Sequence, residues 1–102
     1  MSVTKRANMD LRTMIKDELA ENGNKISFKF IEELAATAKV THMQITPNTR
    51  VCALTLDSGH EVVGYARVLF AENDVATIGQ GVAFDNARDE LWSICGSIAL
   101  SL

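Results

Sequence analysis

The stretch that decides the fold is residues 74–102, DVATIGQGVAFDNARDELWSICGSIALSL. Its apolar residues recur at the spacing of one helical face. That face comprises Ile78, Val82, Ala83, Ala87, Leu91, Ile94 and Ile98. From Trp92 onward the opposite face is apolar too, so this end of the helix needs cover on all sides. A chain of 102 residues has little material for that purpose, which predicts a small domain that self-associates.

Small residues follow one strip of the same helix. Gly79, Ala83 and Ala87 are four apart, so a second backbone could come close to the helix there. This would explain why a glycine is kept in a helix, where it costs about 1 kcal/mol. The run 79–81 does not fit a dinucleotide-binding loop, because Phe84 stands where the third glycine belongs.

Two helices are predicted before the sheet. The first covers residues 9–22, with Gly23 as a natural C-cap. The second covers residues 27–38 and begins at an N-cap candidate, Ser27. Its apolar stripe is predicted to be Phe28, Ile31, Leu34, Ala35 and Ala38. Residues 1–8 are expected to be a flexible, weakly basic tail.

Three strand-like runs follow, at residues 39–46, 50–57 and 60–69. Ser58 and Gly59 separate the last two and predict a hairpin with a two-residue loop. Asp74 is the expected N-cap of the last helix. The prediction is a single α+β domain over residues 1–102, with a helical part at 9–38 and the sheet plus last helix at 39–102. Its sheet is a three-stranded antiparallel meander, with two N-terminal helices and a long C-terminal helix packed on it.

The two-residue loop also predicts the register of the hairpin. It places Leu54 opposite Val63, so that Val63 and Tyr65 share a face with Cys52, Leu54 and Leu56. Both faces of the sheet are mostly apolar in this arrangement. We therefore expect helices on one face and cover of another kind, such as a second subunit, on the other.

Composition narrows the class of protein. Apolar residues make up 47% and charged residues 23%, as in soluble globular domains. The net charge of −3 argues against binding to duplex nucleic acid, which requires a basic surface. The N-terminus lacks the apolar segment of a signal peptide, and the apolar C-terminal run is well short of the ~20 residues that span a bilayer. A cytoplasmic protein with two free buried thiols, Cys52 and Cys95, is expected.

No residue pattern predicts catalysis. Asp57 and His60 flank the hairpin loop, but no nucleophile has a recognisable setting beside them. His42 stands alone, whereas a metal site needs three or four ligands. Asp85 and Asp89 are four apart on the last helix, which is typical of solvated surface. The prediction is therefore a protein that is not an enzyme and that carries no metal or cofactor.

Positive and aromatic side chains are the remaining candidates for a binding site. The arginines nearest the sheet and last helix are Arg50, Arg67 and Arg88. Each could bind an anion or could simply pair with a surface carboxylate. The aromatic residues that could stack on a base, or fill the core instead, are Tyr65, Phe70 and Phe84.

Two runs resemble a known family: VCALTLDSGHEVVGYARV at 51–68 and IGQGVAFDNARDELWSICGSIAL at 78–100. They are similar to small proteins of tailed phages that include the type-one anti-Thoeris proteins. The shared features are Cys-Ala-Leu-Thr-Leu, a turn glycine, Val-x-Gly, Ile-Gly, Asn-Ala and a tryptophan, in that order. The match covers about residues 39–102. The family's Asn-Phe-Asp entry into the last helix reads Asn-Asp-Val here, so Phe70 or Phe84 would have to replace that aromatic.

The resemblance implies a function and an assembly. Anti-Thoeris members of the family look like symmetric hexamers that act as sponges: they bind a cyclic ADP-ribose signal and hold it without cleaving it. Some are also thought to bind cyclic oligonucleotides of the CBASS system. The hypothesis is thus a counter-defence protein in the cytoplasm of the infected bacterium. Its ligand site would comprise Arg67, Asn73, Phe84, Asn86 and Arg88. Its interface with further copies would comprise Trp92, Cys95, Ile98 and Leu102.

Two alternatives stay open at this stage. The first is a phage interaction module that binds a host protein through the apolar C-terminal face. The second is a small hydrolase of the same nucleotides. A sponge would deplete the signal and give it back intact, and a hydrolase would deplete it and give cleaved product. An interaction module would not deplete the signal.

Overall fold

The computed structural model describes residues 10–102, apart from the side chain of Ala71. Within these residues, three helices, three strands and one 3-10 turn follow in the order α1 Leu11–Glu21, α2 Phe28–Thr37, β1 Lys39–Thr46, β2 Thr49–Thr55, β3 Glu61–Arg67, the turn Ala71–Asn73 and α3 Ala76–Leu100. The strands form an antiparallel sheet in the order β1-β2-β3. The predicted α+β fold is confirmed. The predicted tail at residues 1–8 lies outside the described residues.

Helix α1 begins two residues later than predicted because Asp10 caps it. The Asp10 carboxylate accepts a hydrogen bond from the Thr13 amide at 2.8 Å. At the other end the Asn24 amide donates to the Leu19 carbonyl at 2.8 Å, with Gly23 and Asn24 at positive φ. This arrangement satisfies a terminal carbonyl and turns the chain sharply towards α2.

The N-cap of α2 is Ser27, as predicted. Its hydroxyl accepts from the Phe30 amide at 3.1 Å, and it donates to the Glu18 carboxylate of α1 at 2.7 Å. The predicted burial of Phe28 is wrong, because Phe28 is 67% exposed and Phe30 only 4%. Helical side chains slant towards the N-terminus, so the first residue of α2 projects beyond the core.

The β2–β3 hairpin has a three-residue loop in place of the predicted two-residue loop. The Leu56 amide donates to the His60 carbonyl at 2.8 Å, and the Gly59 amide donates to the Leu56 carbonyl at 2.9 Å. Gly59 has a φ of 93°, a conformation that favours glycine and lets a third residue into the loop. Leu54 consequently pairs with Val62, and the predicted pairing with Val63 is wrong.

A shift of one residue exchanges the two faces of β3. Val62 and Gly64 face inward with Cys52 and Leu54, whereas Tyr65 faces outward. Helix α3 covers this inner face of β2 and β3. Its buried residues are Ala83, Ala87, Leu91 and Cys95. The small-residue strip therefore does allow close approach of a second backbone, and that backbone is β3 at Gly64.

The predicted apolar face of α3 is only partly correct. Ile78 and Val82 are 66% and 45% exposed, because the sheet contacts the residues spaced by four from Ala83 to Cys95. Helices α1 and α2 both pack against α3. The core consists of Leu11, Met14, Ile15, Phe30, Ile31, Leu34, Ala35, Cys52, Leu54, Leu56, Val62, Ala83, Ala87, Leu91 and Cys95. Within residues 10–102, no helix is both long and apolar enough to cross a membrane.

Candidate functional site

A small cleft lies where β3 ends and α3 begins. Its volume is about 160 Å³. Two predicted ligand residues, Arg67 and Asn73, line it together with the exposed apolar side chains of Val75, Ile78 and Val82. Arg67 and Asn73, from opposite sides of a loop, are thus brought to one place, with one cationic and one amide group over an apolar surface. The carboxylate residue Asp74 also lines the cleft.

Arg67 is the cation of this cleft. Its guanidinium carbon lies 5.5 Å from the centre of the Tyr65 ring, within the range of a cation–π contact. None of the carboxylates in residues 10–102 forms an ion pair with it. Arg67 is exposed and keeps its hydrogen-bond donors available to an anion.

Arg50 has a different role, because it holds the entrance to α3 in place. Its Nε donates to Asp74 Oδ1 at 2.9 Å, and Nη2 donates to Oδ2, in a partly buried bidentate pair. The hydrogen bond from Arg50 lowers the pKa of Asp74, and the same bond raises the pKa of Arg50. The prediction that Asp74 caps α3 is wrong. Val75 occupies that position, and its side chain makes no capping bond.

Gly79 makes room for the Arg50–Asp74 pair. A Cβ on Gly79 would lie 2.7 Å from Arg50 Cδ and 3.5 Å from Asp74 Oδ1. A glycine in the first turn of α3 therefore lets an arginine from β2 pass beneath the helix. The sequence contains no local signal for this pair, because its members are 24 positions apart.

Asn86 lies on the flank of α3 that faces β3. Its side-chain amide donates to the Tyr65 carbonyl at 2.6 Å. Together with Val63 and Glu90 these residues line an open groove of about 400 Å³ along β3. Asn86 is exposed, and its carbonyl oxygen is directed to no protein donor among the described hydrogen bonds.

Phe84 and Arg88 lie on the flank of α3 that faces α2. Arg88 Nη1 is 3.3 Å from Glu32 Oε1, and Nη2 is 3.1 Å from Asp85 Oδ1. The Arg88 guanidinium carbon lies 5.9 Å from the centre of the Phe84 ring, which packs against the core. Since successive helical residues are about 100° apart, Asn86 points about 200° away from Phe84. A single chain therefore does not bring the five predicted residues into one site.

Phe70 is the aromatic residue nearest to the cleft along the chain. Its carbonyl accepts from the Asn73 amide at 3.0 Å in the turn before α3, and its side chain is largely exposed. Asn48 donates to the Leu69 carbonyl at 3.1 Å and so ties this link to the β1–β2 turn. Of the two aromatics that could replace the missing family phenylalanine, the structure places Phe70 beside Asn73, and Phe84 elsewhere.

From residue 10 onward, the remaining histidine and cysteine side chains do not gather into one cluster. His60 Nδ1 lies 3.3 Å from Ser58 Oγ, and Asp57 is not its partner. In the part of the chain that the structure describes, no three His, Cys, Asp or Glu side chains gather as metal ligands. Cys52 and Cys95 are free thiols, as predicted, and burial raises the pKa of both, that of Cys95 to about 12.

The residues predicted to contact further copies differ in accessibility. Cys95 is fully buried within its own chain, and Trp92 and Ile98 pack partly against the same core. Leu102 is exposed, and so is its neighbour Leu100, at 90%. Helices α1 and α2 thus supply much of the cover that the sequence assigned to other subunits. In this part of the chain, the exposed apolar side chains are Leu100 and Leu102, at the end of α3.

Comparison with known proteins places this chain in a class. A sequence model of phage proteins matches residues 19–100, which is most of the chain. The protein therefore belongs to the N4 Gp49/phage Sf6 gene 66 family of phage proteins. The match begins at residue 19 and includes α2, so the family extends further towards the N-terminus than the predicted 39–102. No curated protein and no solved structure matches the chain.

Proposed function

We propose that this phage protein sequesters a cyclic nucleotide immune signal in the cytoplasm of the infected bacterium. The signals are isomers of cyclic ADP-ribose, and cyclic oligonucleotides of the CBASS system in addition. The protein holds them intact. The observation that carries this proposal is the unpaired Arg67 over the apolar cleft beside Asn73.

The side chains of the cleft suit the parts of such a ligand. A guanidinium forms strong, charge-assisted hydrogen bonds with phosphate oxygens. The Asn73 amide has both a donor and an acceptor for a base or ribose edge. Val75 and Ile78 supply apolar surface for the base. Phe70 does not line the cleft, but its exposed ring belongs to the turn that leads to Asn73 and is proposed to stack on the part of the ligand that extends beyond the cleft.

The size of the cleft supports a site shared between subunits. Its 160 Å³ is below the ~300–1,000 Å³ of ordinary ligand pockets. A second copy that brings its own cleft to the same ligand would enlarge the pocket and place two Arg67 side chains around one pyrophosphate. A closed symmetric assembly, hexameric in this proposal, provides such pairs of clefts.

The proposed mechanism is mass action without chemistry. A sponge lowers the free signal when it is abundant and its dissociation constant lies below the signal concentration. It needs a cation, an amide and apolar surface, which are the groups that the cleft presents. It needs no nucleophile and no general base.

A ligand panel tests the proposal. Purified protein is incubated with cyclic ADP-ribose isomers and cyclic oligonucleotides, its melting temperature is measured, and the mixture is then heated and analysed. We expect a raised melting temperature with at least one ligand and full recovery of that ligand after heating. Recovery of cleaved product would make the protein a hydrolase, and the absence of any shift would remove the proposal.

Substitution then locates the site. Arg67→Ala should weaken binding at least about tenfold, since hydrogen bonds to charged groups contribute roughly 1.5–3 kcal/mol. Lys39→Ala removes the same charge from an exposed position at the start of β1 and should leave affinity unchanged. Equal losses in both variants would mean that net charge, and not the cleft, attracts the ligand.

One observation favours the interaction module as a second candidate. Leu100 and Leu102 form an exposed apolar surface at the end of α3. Leu100→Asp should abolish capture of a host protein if that surface is the binding site, and should leave nucleotide binding unchanged. The two functions are therefore separable by two single substitutions, one at the end of β3 and one at the end of α3.

A further inference from the structure

The most open backbone in the described part of the chain is the free edge of β1. The strand pairs with β2 on one side only, and each of its residues is exposed. Three of its apolar residues, Val40, Met43 and Ile45, are 42%, 59% and 50% exposed. Proteins normally protect such edges with charges, prolines or covering segments, because an open edge pairs with other strands.

The hydrogen bonds of the neighbouring hairpin determine which groups of β1 are free. The Leu56 amide donates to the His60 carbonyl, and the Val68 amide donates to the Asn48 carbonyl. Bonding alternates along an antiparallel strand. The even-numbered residues of β2 therefore bond to β3, and its odd-numbered residues bond to β1.

The register of β1 completes this assignment. The odd-numbered Ala53 and Val51 of β2 lie opposite Thr41 and Met43 of β1. Thr41 and Met43 thus direct their backbone groups towards β2. Val40, His42 and Gln44 alternate with these two residues. Their N–H and C=O groups are therefore directed away from the sheet.

The two edges of the sheet are not equally protected. On β3, Glu61 and Arg67 place a charge at each end, and the Tyr65 carbonyl already accepts the Asn86 amide at 2.6 Å. On β1, residues 40–46 contain no charged side chain in a sequence of VTHMQIT. Lys39 places one charge at the first residue of β1, so charges stand at both ends of the β3 edge but leave residues 40–46 of the β1 edge uncharged.

We propose that β1 pairs antiparallel with β1 of a second copy, across a twofold axis at His42. In this register no two side chains of like formal charge lie opposite each other, because residues 40–44 of both copies are uncharged in the sequence VTHMQ. With His42 opposite His42 of the second copy, Val40 lies opposite Gln44, and every free donor and acceptor of these three residues is used. The two sheets become one sheet of six strands.

Side-chain contacts agree with this register. It places the exposed Met43 beside Thr41 of the second copy, in a pair whose side chains approach closely. An irregularity in pairing between Gln44 and Thr46, followed by Pro47, ends the regular edge just beyond the last bonded pair. The regular free edge of β1 therefore ends where the proposed pairing between the two copies ends. This inference depends on sheet geometry and not on the proposed function.

Hydrogen exchange and solution mass test the pairing on the intact protein. The subunit mass is 11.1 kDa, so we expect an even multiple of that value at high protein concentration. The amides of Val40, His42 and Gln44 should be protected in the assembly and lose protection on dilution. A monomer, or an assembly in which these three amides exchange freely, would overturn the proposal. So would protection that appears only when another protein is added, because the edge would then belong to a different partner.

Substitution at the axis gives a second, independent test. His42→Pro removes an outward N–H and leaves the bonds between β1 and β2 in place, so the mass should fall by half with the fold intact. Val63→Pro makes the matched change on the free edge of β3 and should leave the mass unchanged. If His42→Pro does not fold, His42→Lys brings two ammonium groups together across the axis and should halve the mass as well. A folded variant of either kind with unchanged mass refutes the axis.

Discussion

Gly64 of β3 lies directly against the backbone of Ala87 in α3. A Cβ on Gly64 would overlap the Ala87 amide nitrogen and the Ala83 carbonyl oxygen. Ala83 and Ala87 are themselves fully buried. Strand and helix can approach this closely only because all three side chains are minimal, and this contact sets the distance between the two layers of the fold.

The first prediction concerns that contact. Gly64→Ala should destabilise the protein by about 3 kcal/mol or prevent folding, because the added methyl meets backbone atoms that cannot move independently of α3. Denaturant unfolding followed by circular dichroism measures the loss. The matched control is Gly81→Ala, since nothing lies within 4 Å of a Cβ there. This variant should gain about 1 kcal/mol. A neutral Gly64→Ala would contradict the described packing.

The second prediction concerns the Arg50–Asp74 pair. Asp74→Asn should lower the melting temperature at neutral pH, and Arg50→Gln should lower it by a similar amount, with little further loss in the double variant. The hydrogen bond from Arg50 holds the folded-state pKa of Asp74 below the ordinary aspartate value of 3.8. Its contribution is therefore fully present above the unfolded pKa and disappears as the pH falls through the folded value.

The pH series has an internal control. The difference in melting temperature between wild type and Asp74→Asn should be constant above about pH 5 and shrink at pH values below 3.8. In the Arg50→Gln background the same substitution should have little effect at any pH. Losses that simply add in the double variant would show that the two residues act independently.

The third prediction concerns the buried thiols. Burial raises the pKa of Cys95 to about 12 and that of Cys52 above its ordinary value, so neither forms a thiolate near pH 8. Since the thiolate is the reactive form, a thiol reagent such as Ellman's should label the native protein only as fast as it unfolds. Labelling should become rapid in denaturant. Rapid labelling of the native protein at either cysteine would show that the core opens there.

The fourth prediction separates the two aromatic candidates for base stacking. Phe70→Ala should weaken nucleotide binding about tenfold or more, at roughly 1–3 kcal/mol per stacked base, and should change stability little because the ring is exposed. Phe84→Ala should show the opposite pattern, with lower stability and unchanged affinity, because its ring packs against the core. Affinity titration and thermal melting on the same samples measure both effects. The reverse result would place the ligand on the α2 flank of α3.

The local chemistry of the chain determined much of the fold. The Ser27 cap, the strand-like runs and the long apolar helix are short-range signals, and the predicted elements agree with the structure to within a few residues. The alternation within β2 also placed Cys52 and Leu54 on one face, and the structure shows that this is the buried face. These features follow from propensity and periodicity, which act over a few neighbouring residues.

Other features of the fold and the candidate site depend on distant contacts. The hairpin register differs by one residue because Gly59 admits a third loop residue, a choice between two loops that the sequence allows equally. The separation of Asn86 from Arg88, and the pairing of Arg50 with Asp74, depend on where α3 lies against the sheet. Local pattern identifies which residues are polar, but only packing decides which of them meet.

The long C-terminal helix shows this division most clearly. Its sequence alone established a helix with apolar residues on every side and a strip of small ones. Tertiary structure decided that Gly64 occupies the strip, that α1 and α2 pack against α3 as well, and that Ile78 and Val82 stay open beside Arg67. The physical reason is that apolar periodicity states how much surface must be buried, whereas the partner that buries it is set by the path of the whole chain.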